Sequence, residues 1–551
     1  MHYGYGVYAN HKEEMVVLKA KEAQYFSQSV YYVIYQNMRR VGGFMKKKML
    51  KTVLLALPLL GLLGSAYFPE PAEAAEPWPP RDNFFWLGQI NKASDIINTD
   101  ENLLTKEEGR RFAAAIQKVL EEGNKKGAER PSVVITFEPL LIKAGGSDVT
   151  KIHAGRSSQD MLTTVSILRQ REQLLVLSAA LNQMTETLLN LAVAHEGTLI
   201  PNYTNGVQAQ PNSLGHFLLA YVDAYERDQE RIKEYYKRLN RSPMGATVLN
   251  GTGWPLNRDR MAAYLGFDGI AYNTYDAGQV FPQEAPIEMG GITSSIAIHN
   301  TSLIQEIMQQ YAQPRPWILL KEGNGNTYVS SAMPQKRNPG ILNRCRTDSS
   351  TLLGLAVGEA FRAHNIPAGM ADGRIRGNDD IVKDTTNVVN QMNRILQALD
   401  IKPERALEEL NLDWTCSQEI ADVMMRKHNI PFRSGHHFAS EIVTYARARN
   451  ITPVDFTYTQ AQEVYRSVAA ADSSLPKELP LTPEELQEAK DPAGIIRNRA
   501  VKGGPQHGEM KIMFANAQRV LDANIAWQKG AEEKVKKAEA KLNEDFSLLL
   551  R

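Results

Sequence analysis

The apolar residues of this chain recur mainly three and four positions apart, which is the period of an α-helix with one buried face. The clearest example is the stretch 161–196, which contains neither glycine nor proline. The apolar seam along it consists of Ile167, Leu174, Leu177, Leu181, Met184, Leu188 and Leu191. Because a helix of this length needs other long helices to cover such a seam, the pattern predicts a helix bundle.

The same spacing predicts further helices along the chain, at 84–97, 106–122, 213–239, 294–311, 341–365, 381–399 and 510–546. The apolar run 133–137 is interpreted as an irregular lead into the next helix, with a short strand as the alternative. We find no internal repeat, no low-complexity tract and no strand–helix alternation of the dinucleotide-binding type. The chain is therefore predicted to be mainly α, with long helices bundled at its centre.

Composition excludes few function classes but limits the partners. The 551 residues are 43% hydrophobic and 23% charged, an ordinary globular balance with room for two or three domains. A formal net charge of +1 gives no indication of nucleic acid or an acidic membrane surface as a partner. With Cys345 and Cys416 as the two cysteines, no disulfide framework is implied, and a single bridge between them stays open.

The segment 45–75 has the order of a bacterial secretory signal peptide: a basic run, an apolar run at 53–63, and small residues around Ala74. The apolar run is too short for a membrane span, so cleavage would release a secreted or periplasmic protein without stable membrane association. An uncut N-terminal anchor is the alternative. We interpret residues 1–44 as not translated in the cell, because the codons just before residue 45 can hold a ribosome-binding site.

The stretch 323–340 differs from the helical segments around it. Its first half favours no regular element, and its second half is stiffened by Pro334 and Pro339. The helix predicted to follow would direct its positive N-terminal end and free backbone N–H groups toward this loop, which suits an anion. Serines beside a lysine and an asparagine suit chemistry in which a hydroxyl loses its proton and a carboxylate gains charge. An ordinary surface loop is the other interpretation.

The order of residues within this loop decides between the two interpretations. The segment reads Ser330-Ser331-Ala332-Met333-Pro334-Gln335-Lys336-Arg337-Asn338-Pro339. It resembles the signature loop of the fumarase/aspartase superfamily, Ser-Ser-x-Met-Pro-x-Lys-x-Asn-Pro, to which the argininosuccinate lyases belong. The resemblance continues over nearly all of the chain after about residue 84.

A second segment, Gly155-Arg156-Ser157-Ser158-Gln159-Asp160, directly precedes the long predicted helix. Small polar residues at a helix start are often caps. The segment also resembles the Gly-Arg-Ser-Arg-Asn-Asp of argininosuccinate lyases, which implies substrate contacts at Ser157, Ser158 and Gln159. Ser158 stands where the family has an arginine, and the loss of that bidentate carboxylate partner indicates a changed substrate.

A third segment follows the long helix and, by itself, indicates a helix-breaking turn. It resembles the Tyr-Thr-His-x-Gln-x-Ala-Gln-Pro of argininosuccinate lyases: Thr204 and Gln208 match, whereas Asn205 replaces the histidine. The glutamate that accompanies this histidine in relatives is Asn343 here. Because neither asparagine titrates, an acid must come from elsewhere, with His216 as one candidate, or is not needed.

The resemblance implies a mainly α, three-domain fumarase/aspartase-type fold. Its domains would be an N-terminal helical domain at 76–156, a central helix-bundle domain at 157–405 and a C-terminal helical domain at 406–551. It also implies a homotetramer in which three chains build each active site for a small dicarboxylate, without a cofactor or a metal.

Within that frame, the resemblance assigns chemistry to the signature loop. Ser330 would be the base, and Lys336 and Asn338 would stabilise the charge that develops on the substrate carboxylate. The substrate contacts that it implies are Ser157, Ser158, Gln159, Thr204, Asn205, Gln208, Ser331 and Met333.

Three functions follow from these residues. The first is a secreted lyase that splits the C–N bond of an N-substituted aspartate and releases fumarate, with a leaving-group pocket changed by Met370 in place of a family tyrosine. The second is argininosuccinate lyase itself, which export disfavours because arginine biosynthesis uses cytoplasmic intermediates. The third is a catalytically silent dicarboxylate-binding homologue, favoured by Asn205 and disfavoured by the retention of Ser330, Lys336 and Asn338.

Overall fold

The computed structural model describes residues 79–370 and 378–551. The predicted signal segment, the residues before it and part of the segment after Met370 lie outside these ranges. The described chain begins with three helices, α1 (Asn83–Asp100), α2 (Lys106–Gly123) and α3 (Val134–Gly145), and a 3₁₀ segment, Ser147–His153. The mainly α fold that the apolar spacing predicts is confirmed.

Helix α2 shows how the sequence sets these boundaries. The Thr105 side chain accepts a hydrogen bond from the Glu108 N–H, and the Glu108 carboxylate accepts one from the Thr105 N–H. This reciprocal cap satisfies two of the backbone donors left over at a helix start. Phe112 and Ile116, one turn apart, are then fully buried in the core.

Helix α3 corrects the interpretation of residues 133–137 as an irregular lead or a strand. Residues 134–137 form the first turn of this helix. Phe137 and Leu141 lie one turn apart on its buried face, and the Phe137 ring centroid is 5.2 Å from that of Phe84 on α1. Burial of these side chains outweighs the weak preference of Val134 and Ile135 for a strand.

The centre of the molecule is a bundle of long helices. Its members are α4 (Ser158–Ala194), α5 (Leu214–Leu239), α7 (Phe281–Tyr311), α8 (Gly340–Ala363) and α9 (Asn378–Gln397). The short α6 (Arg258–Tyr264) lies between α5 and α7 in the chain and packs against α1. Helix α4 packs along α5 and α9, and α7 packs along α8. The predicted long helix is thus confirmed, with boundaries shifted by two or three residues.

Helix α7 begins well before the predicted residue 294. Pro282 lies in its first turn, where a missing N–H costs nothing, and a π-helical turn, Asp276–Val280, leads into it. The proline and glycine content of residues 282–291 suggests a loop, but these residues occupy helix.

Three small antiparallel sheets join the helices. The pairs are β1 (Leu199–Thr204) with β2 (Val207–Ser213), β3 (Ile318–Leu320) with β6 (Leu399–Ile401), and β4 (Tyr328–Val329) with β5 (Arg337–Asn338). The first is a hairpin between α4 and α5, and the third lies inside the predicted signature loop.

The connections place these features at one end of the bundle. Gln310, near the end of α7, donates a hydrogen bond of 2.9 Å to the Tyr203 hydroxyl in β1. The end of α4, the β1–β2 hairpin, the end of α7 and the loop into α8 therefore lie together, and we call this the hairpin end. The start of α4 lies at the opposite end, because Gln159 donates to the Gly278 carbonyl just before α7 begins.

The C-terminal region contains seven further helices among the described residues: α10 (Pro403–Leu412), α11 (Ser417–His428), α12 (Phe432–Arg447), α13 (Tyr458–Ala471), α14 (Pro483–Lys490), α15 (Pro492–Arg497) and α16 (His507–Leu549). Residues between Trp414 and Ala489 form a hydrophobic cluster of their own. Helix α16 instead returns to the main core and packs against α4 and α1. Cys345 and Cys416 are both buried and free, so they form no bridge.

Candidate active site

The signature loop is folded into a tight hairpin. The Ser330 N–H donates to the Lys336 carbonyl at 3.1 Å, directly beyond the β4–β5 pair. The Asn338 side chain donates to the Tyr328 carbonyl at 3.3 Å across the same pair. The predicted catalytic residues Ser330, Lys336 and Asn338 are therefore brought together on one short hairpin.

The oxygen of Ser330 faces the backbone of the hairpin tip. It accepts hydrogen bonds from the N–H groups of Met333 at 3.2 Å and Ala332 at 3.4 Å. Two N–H dipoles directed at one hydroxyl oxygen favour its negative form over its neutral form, as in an oxyanion hole. A serine in this setting is better suited to act as a base than a serine whose oxygen meets only water.

The tip around Ser330 is open to a ligand. Lys336 and Ser331 are exposed, and Met333 is 44% exposed. The other cation of the loop, Arg337, forms an ion pair of 3.0 Å with Glu322, the residue just before the loop begins. Lys336 is thus the loop cation that remains available to a substrate carboxylate.

The base of the loop is held by a buried asparagine. Asn326 donates through its side chain to the Lys321 carbonyl at 3.1 Å, and its own carbonyl accepts from the Ile341 N–H at 3.2 Å. Arg394, on α9, donates to the Asn324 carbonyl at 2.5 Å. The predicted free N–H groups at the start of α8 are therefore partly used, since Ile341 binds within the loop.

The β1–β2 hairpin carries Thr204 and Asn205 at its exposed tip. Asn205 and Gly206 have φ values of 54° and 76°, as a type I′ turn requires at both central positions. The interpretation of this segment as a plain turn missed the two strands, although the Asn-Gly pair was a signal for a hairpin. Among the described residues, no hydrogen bond joins this tip to Ser330 or Lys336.

A buried glutamate, Glu409 of α10, holds the β1–β2 hairpin through two hydrogen bonds. Its Oε1 accepts hydrogen bonds from the Tyr203 hydroxyl and, at 2.6 Å, from the Gln208 side chain. Burial, and then the hydrogen bond to Glu409, raise the pKa of Tyr203 to about 12. Gln208, which the resemblance assigned to the substrate, is thus engaged within the chain. Sequence reasoning missed Glu409, because nothing local links it to a hairpin 201 residues earlier.

The segment at the start of α4 serves as a cap, as one interpretation predicted. The Ser157 side chain accepts from the Asp160 N–H at 3.3 Å, and the Asp160 carboxylate accepts from the Ser157 N–H at 2.8 Å. Ser158 is exposed, and the Gln159 amide donates to the Gly278 carbonyl at 3.1 Å. Ser157, Ser158 and Gln159 lie together, but at the opposite end of the bundle from Ser330.

The separation of these segments follows from the length of α4. Its 37 residues span about 55 Å at 1.5 Å per residue. The signature loop and the β1–β2 hairpin lie beyond its last turn, and Ser157 lies before its first. One chain therefore does not bring Ser157, Ser158 and Gln159 to Ser330.

His216 is engaged in a structural contact. Its Nε2 donates to the Gly503 carbonyl at 2.9 Å, which ties the start of α5 to the segment before α16. The Nε2–H of His216 is therefore used in a contact within the chain. Within residues 79–370 and 378–551, no three His, Cys, Asp or Glu side chains are grouped to hold a metal ion, and no helix has the length and apolar run needed to cross a membrane.

Known proteins are similar to this chain in sequence and in architecture over most of its length. Residues 86–354 match a family described as lyase, and residues 414–497 match one described as the argininosuccinate lyase C-terminal region. The argininosuccinate lyase of Methanosarcina acetivorans is 28% identical over 455 residues, which cover 80% of this chain and 88% of that protein. The chain belongs to the fumarase/aspartase superfamily. Within it, the protein is an argininosuccinate lyase-like carbon–nitrogen lyase.

Solved structures extend the comparison for this lyase. EDDS lyase in complex with formate is 25% identical with a TM-score of 0.79, covering 85% of this chain and 92% of that one. A variant of EDDS lyase with bound fumarate matches with the same values. The lyase therefore has the mainly α fold that the resemblance of its signature loop implied.

Proposed function

We propose that this protein cleaves the C–N bond of an N-substituted aspartate by β-elimination and releases fumarate. The observation that carries the proposal is the Ser330 oxygen, which accepts two backbone N–H groups on an exposed hairpin beside Lys336. The fumarate in an EDDS lyase variant supports the identity of the product. Argininosuccinate is the second candidate substrate, supported by the similarity of the chain to the argininosuccinate lyase of Methanosarcina acetivorans.

The chemistry begins at the carbon next to a substrate carboxylate. Ser330, as an oxyanion, removes the proton from this carbon, and the electron pair spreads into the carboxylate as an enediolate. Lys336 and the second N–H of the Asn338 amide stabilise that charge, each by about 3–4 kcal/mol as preorganised donors. The C–N bond then breaks, its electron pair leaves on the nitrogen, which takes up a proton, and the remaining carbons form the double bond of fumarate.

The site requires more than one chain. Ser157, Ser158 and Gln159 lie about 55 Å along α4 from the hairpin end, so they serve Ser330 only if a second copy presents them. A homotetramer with shared active sites, as the resemblance implies, supplies this arrangement. The exposed apolar side chains Ile298 on α7 and Val357 and Phe361 on α8 support burial of the bundle between copies.

The cellular location of the enzyme is proposed from the sequence of residues 45–75. A basic run followed by an apolar run of signal-peptide length supports export from a bacterial cytoplasm. Export favours a substrate other than a cytoplasmic biosynthetic intermediate. A changed substrate is also indicated by Asn205 in place of the family histidine and Ser158 in place of the family arginine.

The test uses protein that begins at Glu76, mixed with fumarate and a panel of amines and amino acids that includes arginine. Loss of fumarate absorbance with one amine, abolished by Ser330→Ala, is the expected result and names the leaving group. Consumption with arginine alone would identify argininosuccinate lyase. Full activity in Ser330→Ala would refute the assignment of the base, and fumarate binding without consumption of any amine would favour the silent homologue.

A further inference from the structure

A strained turn lies beside the predicted substrate segment at the start of α4. Thr247 and Val248 have φ values of 47° and 70°, in the left-handed region. For β-branched side chains this conformation is a true outlier, and it persists only where the surroundings impose it. Neither residue was singled out from the sequence.

The contacts that impose the turn run to the segment that holds Ser157. The buried carboxylate of Asp160 accepts from the N–H groups of Gly245 at 3.0 Å and Thr247 at 3.2 Å, while its other oxygen caps Ser157. The Thr247 hydroxyl donates to the Gly155 carbonyl at 2.6 Å. One carboxylate thus binds the turn and the predicted substrate serine at the same time.

A second set of contacts runs from the turn to Gln159. The Val248 carbonyl accepts from the buried Gln279 side chain at 2.7 Å, within the π-helical turn before α7. Its neighbour Gly278 approaches so closely that a Cβ there would lie 2.8 Å from the Val248 oxygen. The Gly278 carbonyl in turn accepts the Gln159 amide at 3.1 Å. The position of Val248 therefore sets where Gln159 is held.

We propose that the Thr247–Val248 turn is a positioning element that holds Ser157 and Gln159 in their substrate-binding arrangement. The inference rests on the proposed function, because it takes Ser157 and Gln159 to contact the dicarboxylate. The turn is fixed by its contacts to the Ser157 segment and to the π-helical turn, so it keeps Ser157 and Gln159 in one geometry before a ligand arrives. This lowers the entropy that is lost when the ligand binds. Releasing the turn should weaken binding without slowing chemistry at Ser330.

The test compares Gln279→Met, which removes the donor to the Val248 carbonyl, with Gln283→Met as the matched control. Gln283 lies one turn further along and donates to the Gln279 carbonyl at 2.7 Å, without contact to the turn. We expect Gln279→Met to raise KM for the dicarboxylate, and the Kd of fumarate measured by calorimetry, at least fivefold, with kcat within twofold. Gln283→Met should leave all three unchanged.

Two further measurements separate positioning from stability. Val248→Gly relieves the positive φ and should keep the melting temperature while raising the Kd of fumarate. In a Gln159→Ala background, Gln279→Met should add nothing. An unchanged Kd in Gln279→Met and Val248→Gly would overturn the inference. If the parent binds no fumarate, the proposed function fails, and hydrogen exchange of residues 157–161 decides the inference: faster exchange in Gln279→Met supports it, and unchanged exchange overturns it.

Discussion

Replacing Glu409 should open the β1–β2 hairpin without unfolding the bundle. Glu409→Leu removes the acceptor of two hydrogen bonds, from the Tyr203 hydroxyl and the Gln208 amide. Hydrogen bonds to a charged group contribute about 1.5–3 kcal/mol each, so the two sum to about 3–6 kcal/mol. Because the freed hairpin can reach water, we take the lower end, about 3 kcal/mol, which raises the open population about 100-fold.

Glu409→Gln should have a smaller effect. Both hydrogen bonds go to one oxygen, Oε1, and a glutamine can place its carbonyl oxygen there. Neutral hydrogen bonds are about half as strong as charge-assisted ones, so about half of the 3 kcal/mol is lost. Glu408→Leu is the control, because Glu408 is adjacent in sequence and pairs with Arg315 and Arg405 instead of the hairpin. Arg405 also lies 3.5 Å from the second oxygen of Glu409, so this control reports the part of the effect that comes from disturbing Arg405.

The assay is limited proteolysis at low protease concentration, with cleavage followed at residues 202–209. Under these conditions the cleavage rate tracks the population of the open form. We expect the rate to rise about 100-fold in Glu409→Leu, about tenfold in Glu409→Gln and less than fivefold in Glu408→Leu. Equal rates in Glu409→Leu and the parent protein would refute the assignment of Glu409 as the clamp of this hairpin.

Three further changes separate the chemistry of the site from the stability of the fold. Lys336→Met should lower kcat about 100- to 1,000-fold in the fumarate assay, because it removes one donor to the enediolate. Asn205→Gly should keep the type I′ turn, whereas Asn205→Val should cost about 1–2 kcal/mol in urea unfolding. Burial raises the pKa of Asp95 to about 8, so the unfolding free energy should fall as pH rises from about 4 to about 8 while the unfolded chain releases this proton. Asp95→Asn should remove that fall in urea titrations at pH 5 and pH 8.

The long helices could be predicted because their apolar spacing is a local property of the sequence. The seam of α4 gave its boundaries within three residues, and the Thr105 cap marks the start of α2. Helix α7 was predicted too short because of its two prolines. Pro282 lies in the first turn, where a proline is tolerated, whereas Pro286 lies inside the helix, and no local pattern predicts that the helix accommodates it. Residues 133–137 were misjudged because tertiary burial, rather than propensity, fixes α3.

The proximity of candidate site residues was predictable only where they lie in one segment. Ser330, Lys336 and Asn338 are close in sequence and meet on one hairpin. Glu409 and the Thr247–Val248 turn contact partners far along the chain, so no local sequence pattern predicts their roles. The engagement of a glutamine such as Gln208 within the fold could likewise not be read from its residue type.

The last helix determines when the main core can close during synthesis. Leu542 and Phe546 of α16 are buried in the core that contains α1, and Lys92 of α1 donates to Asn543 across 451 residues. A ribosome adds about 5–20 residues per second, so α1 waits about 20–90 s for this partner. During that interval the N-terminal helices have an uncovered apolar face. A process that needs an incomplete core, such as the export proposed from residues 45–75, would have this interval in which to begin.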